Sequence, residues 1–117
     1  MRYMLLIYTS EAADGNATQA DRDAMMRDYN AFTEDAQKKG VMIGGEALHP
    51  TSAATTVKLR DGKKLTTDGP FAETKEQLGG YYLMNCKDLN EAIEWGAKIP
   101  GARYGSIEIR PIMEFGA

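Results

Sequence analysis

The sequence predicts an α+β domain of the ferredoxin-like, split βαβ kind, with a β-hairpin inserted at its middle. Short apolar runs and amphipathic stretches alternate in the order β-α-β, hairpin, β-α-β. Two of those runs, residues 2–9 and 79–86, are apolar at odd and even positions alike, which marks strands covered on both faces. Asp61-Gly62, set between two β-type runs, is a two-residue hairpin signal. A chain of 117 residues forms one domain, 1–117.

The elements follow in order. Residues 2–9 read as a strand, with Tyr3, Leu5 and Ile7 on one face and Met4, Leu6 and Tyr8 on the other. Residues 10–17 are small and polar and read as a loop. Thr18 is a helix cap and Asp21 favours the positive end of the helix dipole. Met25, Tyr29, Phe32 and Ala36 recur at helical spacing, and Gly40 is a stop signal, giving a helix over 19–39. Val41–Leu48 reads as a strand interrupted by Gly44-Gly45 and ended before Pro50. Residues 55–59 and 64–67 flank the hairpin turn, and Asp68-Gly69-Pro70 forms a second turn.

In the strand at 79–86, Tyr81 and Leu83 oppose Tyr82 and Met84. Asp88 with Glu91 resembles a capping box and opens a helix over 89–98, with Leu89, Ala92, Ile93 and Ile99 on its apolar side. Pro100-Gly101 stops it. In the last strand, 106–113, Ile107, Ile109 and Met113 share one face, and Glu108, Arg110 and Ile112 the other. The ferredoxin-like order puts the two double-sided strands in the middle of the sheet, with both helices on one side. Their second faces would form a large exposed apolar patch in a monomer. The pattern therefore predicts a homodimer packed sheet to sheet.

Composition narrows the function classes. The apolar fraction is 43% and the charged fraction 26%, as in ordinary globular domains. A net charge of −3 and a pI near 5.1 argue against a nucleic-acid footprint, which needs clustered Lys and Arg. No window reaches the ~20 apolar residues of a membrane helix, and residues 1–8 lack the pattern of a secretion signal, so a cytoplasmic location is expected. Cys86 is the single cysteine, which excludes an internal disulfide and a cysteine-rich zinc site. The spacings of phosphate-binding and dinucleotide-binding loops are absent, and neither metal nor organic cofactor is expected.

The segment Asp68-Gly69-Pro70-Phe71-Ala72-Glu73-Thr74-Lys75-Glu76-Gln77-Leu78-Gly79-Gly80-Tyr81-Tyr82-Leu83 closely resembles the signature of the DGPF branch of the YCII-related proteins. The likeness extends from the strand at Met1–Tyr8 to that at Ile107–Phe115. It implies a ferredoxin-like α+β fold whose copies pair as a dimeric α/β barrel. Barrels of this kind include muconolactone isomerases, dehalogenating relatives and cofactor-independent monooxygenases. The resemblance thus implies acid/base proton transfer on a small ring or carbonyl compound in an inter-sheet cleft. The alternative it implies is a non-catalytic ligand-binding or regulatory module associated with an extracytoplasmic-function sigma factor. Related proteins are thought to use a His–Asp pair, but this chain has no histidine in the first half of its first helix region, so that pair is not carried over.

Several residues are candidates for chemistry. His49, the single histidine, offers proton transfer near neutral pH or is an exposed loop residue. Asp68 is either a carboxylate held at a cleft mouth or the acceptor that fixes its turn. Glu73 and Lys75, beside Glu76, either rim a pocket for a polar ligand or form a solvated face. Glu108 and Arg110 lie two apart on one strand face, where they either hold a carboxylate ligand or keep an edge strand from aggregating.

Overall fold

Strand β1 (Arg2–Thr9) is the centre of the molecule. In the computed structural model, which describes residues 1–116, it pairs antiparallel on one side with β5 (Gln77–Asn85) and on the other with β6 (Ser106–Pro111). Strand β2 (Met42–Ala47) joins the far edge of β5, giving a four-stranded sheet in the order β2-β5-β1-β6. With the inserted hairpin strands set aside, this is the ferredoxin-like order, and the two double-sided strands stand in the middle as expected.

One face of the sheet carries the core. Tyr3, Leu5 and Ile7 of β1, with Met84 of β5, pack under the helices α2 (Gln19–Lys38) and α3 (Leu89–Lys98). Phe32 of α2 lies 5.0 Å from the ring of Tyr82 and 5.9 Å, edge-on, from that of Trp95 in α3. Such offset aromatic contacts add to the apolar burial itself. Cys86 is buried just past the end of β5, and burial pushes its thiol above the usual range.

The start of α2 is set by a full capping box. The Thr18 hydroxyl accepts from the Asp21 N–H at 3.1 Å, and the Asp21 carboxylate accepts from the Thr18 N–H at 3.0 Å. That second bond lowers the Asp21 carboxyl below its ordinary pKa. At α3 the reciprocal bond shifts by one residue: Asp88 caps the Glu91 N–H, while Glu91 accepts from the N–H of Lys87.

Four expectations need correction. Residues 10–17 are not all loop: Ser10 caps a short helix, α1 (Glu11–Asp14), accepting from the Ala13 N–H. The apolar side of α3 is Ala92, Trp95 and Ile99, whereas Leu89 and Ile93 are about half exposed. Glycine at position 96 lets α3 approach the sheet, where a Cβ would stand 3.3 Å from Ile109 Cδ1. Finally, Met113 lies beyond the end of β6 and is exposed, and residue 48 lies outside β2.

The hairpin, β3 (Thr55–Arg60) and β4 (Lys63–Asp68), is a two-stranded sheet of its own. Asp61 (φ 51°) and Gly62 (φ 72°) form its turn, both in the left-handed region. The base of the hairpin is tied to the domain by Glu11. Its carboxylate accepts from the Thr51 N–H at 2.8 Å and the Thr51 hydroxyl at 2.6 Å.

Candidate functional site

Two surfaces face outward from the sheet. On the face away from the helices, cross-strand register brings together Met4, Leu6 and Tyr8 of β1 with Leu78, Tyr81 and Leu83 of β5. All six are half-buried. The same register sets Glu108 opposite Leu6 and Arg110 opposite Met4, so both charged residues stand on this face and are exposed. Burial, followed by the nearby Glu108 carboxylate, raises the Tyr8 phenol above its ordinary pKa, with Arg110 opposing.

The second surface is concave. A groove of about 1150 Å³ runs between α2 and the β2–β5 edge of the sheet, somewhat above the ~300–1,000 Å³ of typical small-molecule sites. Its depth follows from small residues. Gly45 and Ala47 of β2 and Gly80 of β5 share the helix-facing side of the strands. The ring of Tyr82 lies across Gly45, where a Cβ would meet it at 2.6 Å. At Gly80 the place of a side chain is taken by the Glu46 carbonyl, 2.8 Å from a Cβ built there. No side chain longer than a methyl therefore stands on the floor between Ile7 and Tyr82.

The walls carry phenols. Tyr29 projects from α2 and Tyr104 from the turn before β6. The phenol oxygen of Tyr29 accepts a hydrogen bond from the Gly101 N–H, and burial pushes its pKa up to about 12. Burial also raises the Tyr104 phenol, and the neighbouring Asp14 carboxylate adds to the rise. Tyr104 donates to the thioether of Met25. Deeper in, the hydroxyls of Thr33 and Tyr82 share a hydrogen bond of 3.2 Å. The hydroxyls of Tyr29, Tyr82 and Tyr104 are the hydrogen-bonding groups of an otherwise largely apolar lining.

The expected site residues are dispersed. His49 is exposed in the link after β2. Asp68 ends β4 opposite Thr55 and is exposed. Its carboxylate forms no hydrogen bond among the described residues. The turn is held instead by the Gly69 N–H to the Ala54 carbonyl at 2.7 Å and by the Thr56 hydroxyl to the Gly69 carbonyl at 2.8 Å. Glu73 lines a smaller cavity of about 310 Å³ with Thr51, Pro70 and Gln77, while Lys75 is exposed beside it in sequence. Glu76 accepts from the Ser106 hydroxyl at 2.7 Å. None of His49, Asp68, Glu73, Lys75, Glu108 and Arg110 lines the groove.

Tyr104 and Asp14 were missed because nothing in their local sequence marks them. Tyr29 shares its helical spacing with Phe32 and Ala36, and that spacing alone does not tell a core stripe from a groove wall. Among the described residues no cluster of His, Cys, Asp and Glu is arranged to hold a metal, and no helix is long and apolar enough to cross a membrane.

A split βαβ sheet with α2 and α3 on one face and an open second face defines a ferredoxin-like α+β protein with a groove on its helix side. The chain belongs to the YCII-related family, whose domain model matches residues 1–116. It is 36% identical over 114 residues to an uncharacterised protein of Rhizobium meliloti (strain 1021), an alignment covering 96% of this chain and 92% of that one.

Proposed function

We propose that this YCII-related protein binds a small, mostly apolar molecule in the groove between α2 and the sheet. The observation that carries the reading is the groove itself: a glycine-alanine floor beside the phenols of Tyr29, Tyr82 and Tyr104. Such a lining suits a ring compound with one or two hydrogen-bonding atoms. The test is a thermal-shift screen of small aromatic and carbonyl compounds, repeated on Asn30→Trp, which narrows the groove from an exposed helix position. Hits on the wild type that vanish in the folded variant support the reading. Hits that survive Asn30→Trp and perturb only the NMR signals of Leu6 and Leu83 sink it.

A second reading rests on the opposite face. Pairing of two copies through Met4, Leu6, Tyr81 and Leu83 would enclose a cleft holding Glu108, Arg110 and Tyr8. There Glu108 serves as acid or base and Arg110 orients an anionic substrate. The support is the shared face of these residues and the influence of Glu108 on Tyr8. Turnover lost in Glu108→Gln and Arg110→Met, with the fold and assembly intact, would favour this reading over simple binding. Full turnover in both variants would remove it.

A further inference from the structure

The β3–β4 hairpin leaves the domain as an arm. Its strands pair with each other and with no strand of the main sheet, and every residue of β4 is exposed. Val57 and Leu59 are 61% and 67% exposed. A lone two-stranded ribbon is marginal in water, since it has no apolar face to bury.

Charge sharpens the point. The register sets Arg60 directly opposite Lys63, with Lys58 on the same face, and Lys64 opposite Leu59. Like charges facing each other across a strand pair destabilise it. None of these four cations forms an ion pair among the described residues. The acidic counterpart is the rim around α1 and the start of α2. Glu11, Asp14, Asp21 and Asp23 stand there with Arg22 as the single cation between them, and none forms an ion pair among the described residues.

The dimensions call for a partner. The accessible surface is 8442 Å², roughly 2,000 Å² more than the ~6,300 Å² expected of a compact chain of this mass. The radius of gyration is 16.3 Å, against about 13 Å for a compact domain of this length. A stable dimer buries about 800 Å² or more on each copy, so the surplus suffices for an arm contact beside a sheet contact.

We infer that the β3–β4 arm of one copy docks on the acidic α1–α2 rim of a second copy. Lys58, Arg60 and Lys63, which share one face of the ribbon, meet Asp14 and Asp23, and Leu65 on that face loses exposure. This contact is separate from the sheet-face pairing proposed above, and the experiment reads the two apart.

The test is sedimentation velocity on the full chain at low and high salt, with circular dichroism as the check on folding. Two charge-reversed variants are needed: Lys58→Glu/Arg60→Glu/Lys63→Glu in the arm, and Asp14→Lys/Asp23→Lys in the rim. Each alone is expected to weaken association by about tenfold or more, because like charges are then juxtaposed. An equimolar mixture is expected to recover it, since each variant's arm then meets a rim of opposite sign. Wild-type association by both variants, or a mixture no stronger than either alone, overturns the inference. Leu6→Lys isolates the sheet face. Loss of assembly in Leu6→Lys with both reversals neutral upholds the sheet pairing and overturns the arm contact. Weakening confined to the reversals, with recovery in the mixture, upholds the arm contact and overturns the sheet pairing.

Discussion

The phenol oxygen of Tyr29 accepts a hydrogen bond from the backbone N–H of Gly101 at 3.2 Å, tying the long helix to the turn that follows α3. A Cβ at Gly101 would stand 2.8 Å from that oxygen and 3.1 Å from Ile7 Cγ2. Helix, turn and central strand therefore meet at a point with no room for a methyl. Gly101→Ala is expected to cost about 1–3 kcal/mol through overpacking, and Tyr29→Phe about 1 kcal/mol through the lost hydrogen bond. Urea unfolding of the two variants checks the order.

Alkaline pH should expose the same phenol. Burial raises the Tyr29 pKa to about 12, whereas an unfolded tyrosine ionises near about 10. The folded state holds the proton more tightly, so this contribution to stability is complete below about pH 10 and is lost as the pH climbs towards about 12. Denaturation at about pH 9 and about pH 11 should show a steeper fall for the wild type than for Tyr29→Phe. Equal slopes would mean that the phenol ionises freely in the native state.

The floor of the groove gives a sterically defined prediction. A Cβ at Gly45 would meet Tyr82 Cδ1 at 2.6 Å and the Tyr81 carbonyl oxygen at 2.7 Å, and the carbonyl cannot swing aside without breaking its ladder. Gly45→Ala should destabilise by about 1–3 kcal/mol and tilt the Tyr82 ring. Gly44→Ala, next to it, has open space within 4 Å and serves as the matched control.

Trp95 joins α3 to α2 through Phe32, and the ammonium of Lys98 sits 4.5 Å from its ring centroid. Trp95→Ala should cost about 3–5 kcal/mol, the range for deleting a large buried aromatic side chain. Lys98→Met should cost at most about 1 kcal/mol, because the cation–π contact lies at the surface. Thermal unfolding of both variants measures the ratio.

A lysine at Leu83, on the face away from the helices, should leave the fold intact and abolish pairing through that face. Sedimentation equilibrium of Leu83→Lys and circular dichroism of the same sample are the paired measurements. Association equal to the wild type would show that this face is not an interface.

Much of the fold was legible because its signals are local. Thr18 with Asp21, Asp61-Gly62 and Gly40 mark boundaries by chemistry confined to a few residues, and the structure uses each of them. The two-sided strands at 2–9 and 79–86 identified the middle of the sheet, because only central strands are covered on both faces. Helix α3 was harder. Leu89 and Ile93 looked inward by hydrophobicity, yet packing turned Ala92, Trp95 and Gly96 to the sheet.

The candidate site was less legible. The parity of β6 correctly put Glu108 and Arg110 on the face opposite the isoleucines, since alternation in a strand is fixed by backbone geometry. The groove could not be read in the same way. Tyr29, Tyr104 and Asp14 lie far apart in sequence, and each is unremarkable in its own window.

By itself, then, the sequence determined the element order, the split βαβ class and the identity of the central strands, because hydrophobic period and turn chemistry act over short range. The tertiary structure alone decided that the small residues Gly45, Ala47 and Gly80 fall on one side of neighbouring strands beneath α2. It also decided that the Asp68–Leu83 segment is divided, its Asp68-Gly69-Pro70 turn closing the projecting hairpin while Gly80 and Tyr82 near its end build the groove floor. Both outcomes depend on strand register and helix placement, which are set by packing between segments distant in the chain.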